Sequence, residues 1–425
     1  MTILIAGGGI AGLSLGLTLH QIGVPFRIFE ATQEIRPMGV GINLQPNAVR
    51  ELFEMGLEHE LDAIGVRTKQ YGFYSKLGKT IWEEPRGTWA GYTWPQYSVH
   101  RGELQMMLYR ALVDRAGPDC IETGARAVGF SGAPTLMLEG GRAETGSLIV
   151  AADGIHSALR AQMYPDEGEP IWNGRVLWRA TTQAPEFRGG AAMVMIGHDD
   201  LRIVAYPISA PDAGSGMATI NWIAEKRFPL DAAWKKEDWN RPADITDFLP
   251  DFQDWRFDWV DVPALIKGAQ VVYEYPMVDR DPLPKWTQGT VTLMGDAAHP
   301  TYPIGSNGAS QAIVDARVIG ACLLEHGVTA QALGAYEAQV RPVTTGVGLA
   351  NRAGGGPDAV LQRVEDLCGG DFDEIDDVIP VADLAAHSEK YKTTAGFSIE
   401  ALNAKPRVIP ESARVGGSTP APERS

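Results

Sequence analysis

The chain has 425 residues, 44% of them hydrophobic and 21% charged, a balance ordinary for a soluble globular protein of two domains or one large composite domain. Its formal net charge of −16 works against nucleic acid and anionic membrane surfaces, leaving a small molecule as the expected partner. The three cysteines, Cys120, Cys322 and Cys368, form no CxxC pair and have no histidines at ligand spacing, so no metal centre or disulfide framework is expected and a reducing cytoplasm fits.

Residues 2–6 predict a short buried strand, 7–12 a tight turn, 13–21 a helix and 26–30 a second strand. The apolar start, 1–19, has no basic leading region and is broken by glycines, so it reads as structure and not as a signal peptide. No window carries the run of roughly 20 apolar residues that a spanning helix needs. The turn Gly7-Gly8-Gly9-Ile10-Ala11-Gly12 satisfies G-x-G-x-x-G, and Glu30 ends the second strand 18 positions after Gly12. In that pattern Gly7 permits the sharp turn, Gly9 removes a side chain that would block a pyrophosphate, and Gly12 lets helix and strand pack closely. The N-terminus of the helix that follows offers free N–H groups and partial positive charge to the phosphates, and Ile10 and Ala11 of the turn are expected beside them. The Glu30 carboxylate accepts hydrogen bonds from ribose hydroxyls and disfavours a 2′-phosphate, so NADP is not expected here. The turn alone leaves FAD and NAD both open.

Further along, 176–182, 192–196, 201–208, 217–224 and 271–278 predict strands of a mostly antiparallel sheet. A polar stretch with Trp234, Trp239, Trp255 and Trp259 predicts helices or loops over one face of it. Residues 291–294 then predict a buried strand and 308–324 a helix. Between them lie Gly295-Asp296-Ala297-Ala298-His299-Pro300, then Pro303, Gly305, Asn307 and Gly308. This junction places the Asp296 carboxylate at a strand end and bare N–H groups at a helix start, a combination suited to a polar cofactor. From about Pro406 the composition is poor in apolar groups and predicts a frayed tail.

The segment GDAAHPTYPIGSNGASQA at 295–312 resembles the GD motif by which FAD-dependent single-component (group A) aromatic monooxygenases hold the ribityl chain and flavin ring. Ala152-Asp153-Gly154-Ile155-His156-Ser157-Ala158-Leu159-Arg160 resembles that family's DG motif, associated with FAD and with the transient NAD(P)H encounter. The stretches at 36–48, 97–108, 178–180, 205–209 and 275–284 are similar to its phenazine-hydroxylating branch. The likeness spans nearly all of 1–340, and 351–425 carries no such motif. It implies an α/β fold: a Rossmann-like FAD-binding domain of the glutathione-reductase/p-hydroxybenzoate-hydroxylase type with an inserted antiparallel-sheet substrate domain. The expected FAD-binding domain is discontinuous, 1–70, 98–172 and 280–385. The expected substrate-binding domain is 71–97 and 173–279, and 386–425 is a C-terminal segment with a disordered tail.

The resemblance further implies FAD held without a covalent bond, NADH or NADPH as transient co-substrate, and dioxygen. A flavin hydroperoxide would hydroxylate a small aromatic or heteroaromatic substrate, with or without loss of a carboxyl group, in a cytoplasmic monomer or homodimer. Carried onto this chain, it puts Glu30 on the adenosine ribose, and Arg101 and Gln105 along the FAD chain. Gly41, Ile42 and Asn43 then lie against the flavin, Asp153 in the DG segment and Asp296 on the ribityl and pyrophosphate region. Gly305, Asn307 and Gly308 fall beside the isoalloxazine, with Pro303 at the reacting side. Trp178, Arg179, Arg202 and Tyr206 are expected in the substrate wall, with Asn221, Trp222, Pro276 and Met277. Alternate strand residues point to opposite faces, so about half of these are expected to face away. Arg179 or Arg202 suits a substrate carboxylate. His299, inside the turn, and His100, before a helix, are expected to serve structure. Two other readings stand: an oxidase or reductase of the same fold without oxygen insertion, and a non-catalytic FAD-binding protein. A halogenase would carry W-x-W-x-I-P, which this chain lacks.

Overall fold

The computed structural model describes residues 1–132, 134–231 and 241–416. The chain begins with Ile3–Ala6, four consecutive buried residues, as expected of a strand covered on both faces. It pairs in parallel with Phe26–Phe29 on one side and Leu148–Ala151 on the other. Ile121–Glu122 extends this sheet at one edge, and Val291–Leu293 with the antiparallel Thr287–Gln288 completes it at the other. The helices Ile10–Gln21, Arg101–Ala116 and Gly308–His326 bury Leu13, Leu104, Leu108, Ile313 and Ile319 in the same core. The first helix starts three residues earlier than predicted, because the Leu13 N–H already donates to the Gly9 carbonyl at 3.0 Å.

Among the described residues a second sheet has eight strands, in the order Arg241–Pro242, Tyr273–Asp279, Ile171–Pro185, Met217–Arg227, Leu201–Pro207, Ala192–Gly197, Gln70–Tyr74 and Thr80–Pro85. All its pairings are antiparallel except that of Gln70–Tyr74 with Ala192–Gly197. Ile171–Pro185 outruns the predicted 176–182 because it finds partners on both sides. Period-two alternation divides the sheet into two buried faces. Trp178, Ala180, Ile203, Ala205, Trp222 and Ala224 share one face with Phe248, Phe252 and Trp255. Leu177, Met193, Met195, Val204, Tyr206 and Ile223 share the other. Trp255 and Trp259 pack over the first face as expected; Trp234 and Trp239 lie outside the described residues.

Two late helices, Ala359–Cys368 and Val381–Thr394, cover the second face, where Val360, Leu361, Val364 and Leu384 meet Tyr71, Phe73, Met193 and Met195. Residues 359–385 therefore lie on the large sheet and do not extend the nucleotide-binding part with which they were grouped. Their apolar stripe marks a face to bury and carries no mark of which surface receives it.

The frayed tail expected from about Pro406 is also corrected within the described part. Ile409 is 1% exposed and joins the main core, Arg50 donates to the Pro406 carbonyl, and the Val415 N–H donates to the Ile22 carbonyl at 3.0 Å. One apolar side chain in a ready-made groove outweighs a polar composition. Ile409→Ala is expected to destabilise the protein by about 2–4 kcal/mol, read as a lowered denaturation midpoint. Among the described residues no helix is long and apolar enough to cross a membrane, and no group of His, Cys, Asp or Glu is arranged to hold a metal.

Candidate active site

The glycine turn joins the first strand to the first helix. Gly7 sits at φ +102°, where a Cβ would lie 2.4 Å from the Ala152 carbonyl oxygen. A Cβ on Gly12 would lie 2.0 Å from the Gly7 oxygen, so both positions are closed to side chains by the fold itself. Gly9 differs: among the described residues nothing lies within 4 Å of its would-be Cβ, which projects into open space. As N-cap it places no side chain on the helix's free N–H groups. Glu30 steadies the turn, its carboxylate accepting the Gly8 N–H at 2.6 Å and the Thr32 N–H at 2.8 Å. Gln105 reaches across from its helix to donate to the Gly8 carbonyl at 3.0 Å.

A cavity of about 320 Å³ runs from this turn to the second face of the large sheet. Gly9, Ile10, Ala11, Ile42, Asn43, Arg101 and Asp296 line its near end, and Pro303, Gly305, Asn307 and Gly308 line one side. Arg179, Arg202 and Tyr206 line the sheet side. Asp296 is exposed toward the cavity, and the protein around it raises its carboxyl above the usual range, with His299 and Arg101 opposing. The loop before the late helix is held in shape from outside the cavity. Gln45 donates to the Gly305 carbonyl at 3.0 Å and Asn307 donates to the Tyr391 hydroxyl at 2.6 Å. Gly305 lies at φ +71°, its would-be Cβ 2.0 Å from that hydroxyl, and Ser306 takes φ +57°, a strained state for a residue with a side chain.

Behind the GD turn, His299 Nε2 meets Asp315 at 2.6 Å, and the same buried carboxylate accepts the Gly295 N–H at 3.0 Å. Burial works against the charged imidazole, but the Asp315 charge and hydrogen bond outweigh it, so the His299 pKa is raised. The pair's stabilisation is complete below the unfolded value of about 6.5 and is lost as pH rises through the higher folded value. Melting temperatures measured across that range are expected to fall with rising pH in the native protein, and Asp315→Asn is expected to remove that part of the slope.

Asp153 does not line the cavity, although its neighbours Ala152 and Gly154 do. Its carboxylate accepts the Ala158 N–H at 3.0 Å. Arg160 clamps the DG segment to the GD turn, donating to the Ala297 and Ala298 carbonyls at 2.9 and 3.1 Å and pairing with Glu167. His100 caps its helix by accepting the Glu103 N–H. Gly41 also stands outside the cavity lining. Its strand, Gly41–Leu44, belongs to a separate three-stranded sheet, and it ties that sheet to the large one: its N–H donates to Asn221 Oδ1 at 2.6 Å and its carbonyl accepts Arg179 Nη2 at 2.9 Å.

The expected substrate wall divides by strand parity. Trp178, expected in it, lies on the opposite face, stacked on Phe248 at 4.5 Å and donating to Glu274 at 3.0 Å. Trp222 shares that far face and donates to Thr182 at 3.0 Å, and Pro276 stands in register with Val176 there. Asn221 and Met277 are on the near side but outside the lining. Arg202 does reach the cavity, yet Glu225 at 2.6 Å and Asp358 already hold its guanidinium. Arg179 keeps a buried Nε without a partner among the described residues. Tyr71, Met193, Met195, Val204, Ile223, Glu225 and Ile304 also line the cavity without having been singled out in the sequence. A larger cavity, about 930 Å³, opens beyond Ile304 and Asp358 and contains none of the turn residues.

The family of FAD binding domains matches residues 1–348. The chain is 43% identical over 361 residues to phenazine 1,6-dicarboxylic acid hydroxylase PhzS of Lysobacter antibioticus, covering 82% of this chain and 89% of that protein. It is 30% identical to the aurachin C monooxygenase/isomerase of Stigmatella aurantiaca, covering 80% and 84%. The chain belongs to the FAD-dependent aromatic monooxygenases. Klebsiella pneumoniae HpxO complexed with FAD and uric acid shares the fold of this monooxygenase, with a TM-score of 0.72 at 22% identity over 96% of this chain and 97% of that one.

As in the family, FAD is the cofactor and NAD(P)H the electron donor. The monooxygenase's own cavity suits FAD chemically. An uncapped helix start and an open Gly9 favour a pyrophosphate, and Asp296 and Arg101 offer a carboxylate and a guanidinium at the same end.

Proposed function

We propose that the cavity seats FAD between the glycine turn and the loop 303–308, and an aromatic acid between the flavin and the large sheet. The observation that carries this is convergence: one cavity joins the open Gly9, Arg101, Asp296 and Gly305–Gly308 at one end to Arg179, Tyr206 and Glu225 at the other. Glu30 would take the adenosine ribose, with the free N–H groups after Gly9 on the pyrophosphate. Arg101 and Asp296 would hold the ribityl region, with Gln105, Gly7 and Gly12 shaping the turn. Ile42, Asn43, Pro303, Gly305, Asn307 and Gly308 would border the ring. Asp153 would act through the DG segment that it caps, and Gly41 by fixing the sheet junction.

Bound there, FAD supplies the redox chemistry, with the balance ArH + NAD(P)H + H⁺ + O₂ giving ArOH + NAD(P)⁺ + H₂O. The protein's part is to orient the substrate and exclude water. Arg179, which lines the cavity and is held by the Gly41 carbonyl and the Tyr206 hydroxyl with no carboxylate among the described residues, is the cation placed to receive a substrate carboxylate; Arg202, already held by two carboxylates, is not. The apolar Met193, Met195, Val204 and Ile223 offer a flat bed for rings. With 43% identity to a phenazine 1,6-dicarboxylic acid hydroxylase, a phenazine or another fused heteroaromatic acid is the substrate class favoured. The working form would be a cytoplasmic monomer or homodimer.

The purified protein's visible spectrum, and NADH and NADPH oxidation with phenazine-1,6-dicarboxylate, 6-hydroxynicotinate and 3-amino-4-hydroxybenzoate, test this reading. Flavin bands, ligand-stimulated turnover and one ¹⁸O atom in the product are expected from ¹⁸O₂. A product without label would remove oxygen insertion, and a colourless protein that FAD does not reconstitute would remove the cofactor assignments.

A further inference from the structure

We infer that the Tyr71 hydroxyl orients the substrate by donating a hydrogen bond to an uncharged ring nitrogen, an inference that rests on the substrate reading of the cavity. Tyr71 stands in the strand Gln70–Tyr74, in register with Met193, at the one parallel junction of the large sheet. It is 4% exposed. Its ring is gripped by Phe73 at 4.3 Å between centroids and by the Arg86 guanidinium 4.9 Å over its face. A ring held this way keeps its hydroxyl in one place. That hydroxyl has no hydrogen-bond partner among the described residues, yet it is not sealed off: Tyr71 lines the cavity. A buried tyrosine normally finds a partner for its O–H, so a fixed, unpaired one facing a binding cavity is a donor kept for a ligand.

The surroundings select the acceptor. Within electrostatic reach lie Arg86, Arg202, Glu225 and Asp358, and both guanidiniums are already engaged, Arg86 by Glu84 and Arg202 by Glu225 and Asp358. A substrate carboxylate finds no free cation there, and a neutral acceptor needs none. Arg179 stands at the opposite side of the floor. The register runs from Arg179 through Ile223, Val204 and Met195 to Phe73, next to Tyr71's row. Four strand spacings separate the two backbones by roughly 19 Å, so the two groups stand at opposite ends of the cavity floor. The carboxylate is thus directed to Arg179 and the ring nitrogen to Tyr71.

Holoprotein carrying Tyr71→Phe keeps the ring contacts and loses only the donor. Binding of phenazine-1-carboxylate and of anthracene-1-carboxylate, which has no ring nitrogen, is followed by flavin absorbance and by calorimetry. The substitution is expected to raise Kd about ten-fold for the phenazine and to leave the anthracene unchanged. Peroxide formed per NAD(P)H should increase, with FAD affinity and melting temperature unaltered. Equal effects on both probes, or none on either, would overturn the role of Tyr71 while the substrate reading stands. Failure of the native protein to bind or hydroxylate either ring system would overturn both.

Discussion

Gly9→Ala is expected to leave the apoprotein folded with an unchanged melting temperature and to weaken FAD binding on the order of 100-fold, about 2.7 kcal/mol. The two halves of that result have separate causes. An added Cβ at Gly9 meets no protein atom within 4 Å, so folding does not register it. The same Cβ projects from the N-cap of a helix whose N–H groups carry no side-chain cap, into the space that a pyrophosphate would enter. Gly12→Ala is the contrasting control: its Cβ would lie 2.0 Å from the Gly7 oxygen, so strand and helix must part and stability falls together with binding. Fluorescence titration of apoprotein with FAD, beside thermal melts, separates the two substitutions. Unimpaired FAD binding by the folded Gly9→Ala protein would remove the pyrophosphate from this turn.

Arg202→Met is expected to destabilise the protein by about 3–5 kcal/mol, because it strands Glu225 and Asp358 in a buried site without their shared cation. Arg202 is 1% exposed, Glu225 and Asp358 6% each, so water does not replace the lost partner. Adding Glu225→Gln and Asp358→Asn to Arg202→Met should recover much of the loss, since neutral amides tolerate burial better than unpaired carboxylates. Denaturant midpoints measure this series. Arg179→Met tests the complementary assignment: it should raise KM for a carboxylated substrate with a much smaller change in stability. If Arg202→Met instead altered KM alone, Arg202 would be the substrate's cation and the ion cluster would be incidental.

Much of the geometry of the glycine turn was legible because it is local in sequence. A glycine turn, a helix and an acid at a strand end have fixed spacing, and Gly7, Gly12 and Glu30 stand where that spacing places them. The GD segment was legible for the same reason. The substrate side was half legible. Alternation along 176–182 and 201–208 stated that neighbours part to opposite faces, but not which face would meet the cavity. Trp178 and Arg179 are adjacent residues with opposite fates, and only the packing of Phe248 on one side and the late helices on the other decides between them. Tyr71 lay outside the expected wall because its strand joins the sheet from far away in the chain, through a parallel pairing with Ala192–Gly197.

By itself, then, the sequence determined the dinucleotide turn, the strand periodicity and the family, since each depends on residues within a few turns of one another or on motif order. Tertiary structure alone decided that Arg202 is already neutralised, that residues 359–394 roof the large sheet, and that Ile409 ties the C-terminal region into the core. The reason is the same in each case. Asp358 acts on a partner 156 positions away, Val360 and Ile409 on surfaces likewise built by distant parts of the chain, and a contact of that range is written in complementary shape and charge, which no single segment of sequence contains.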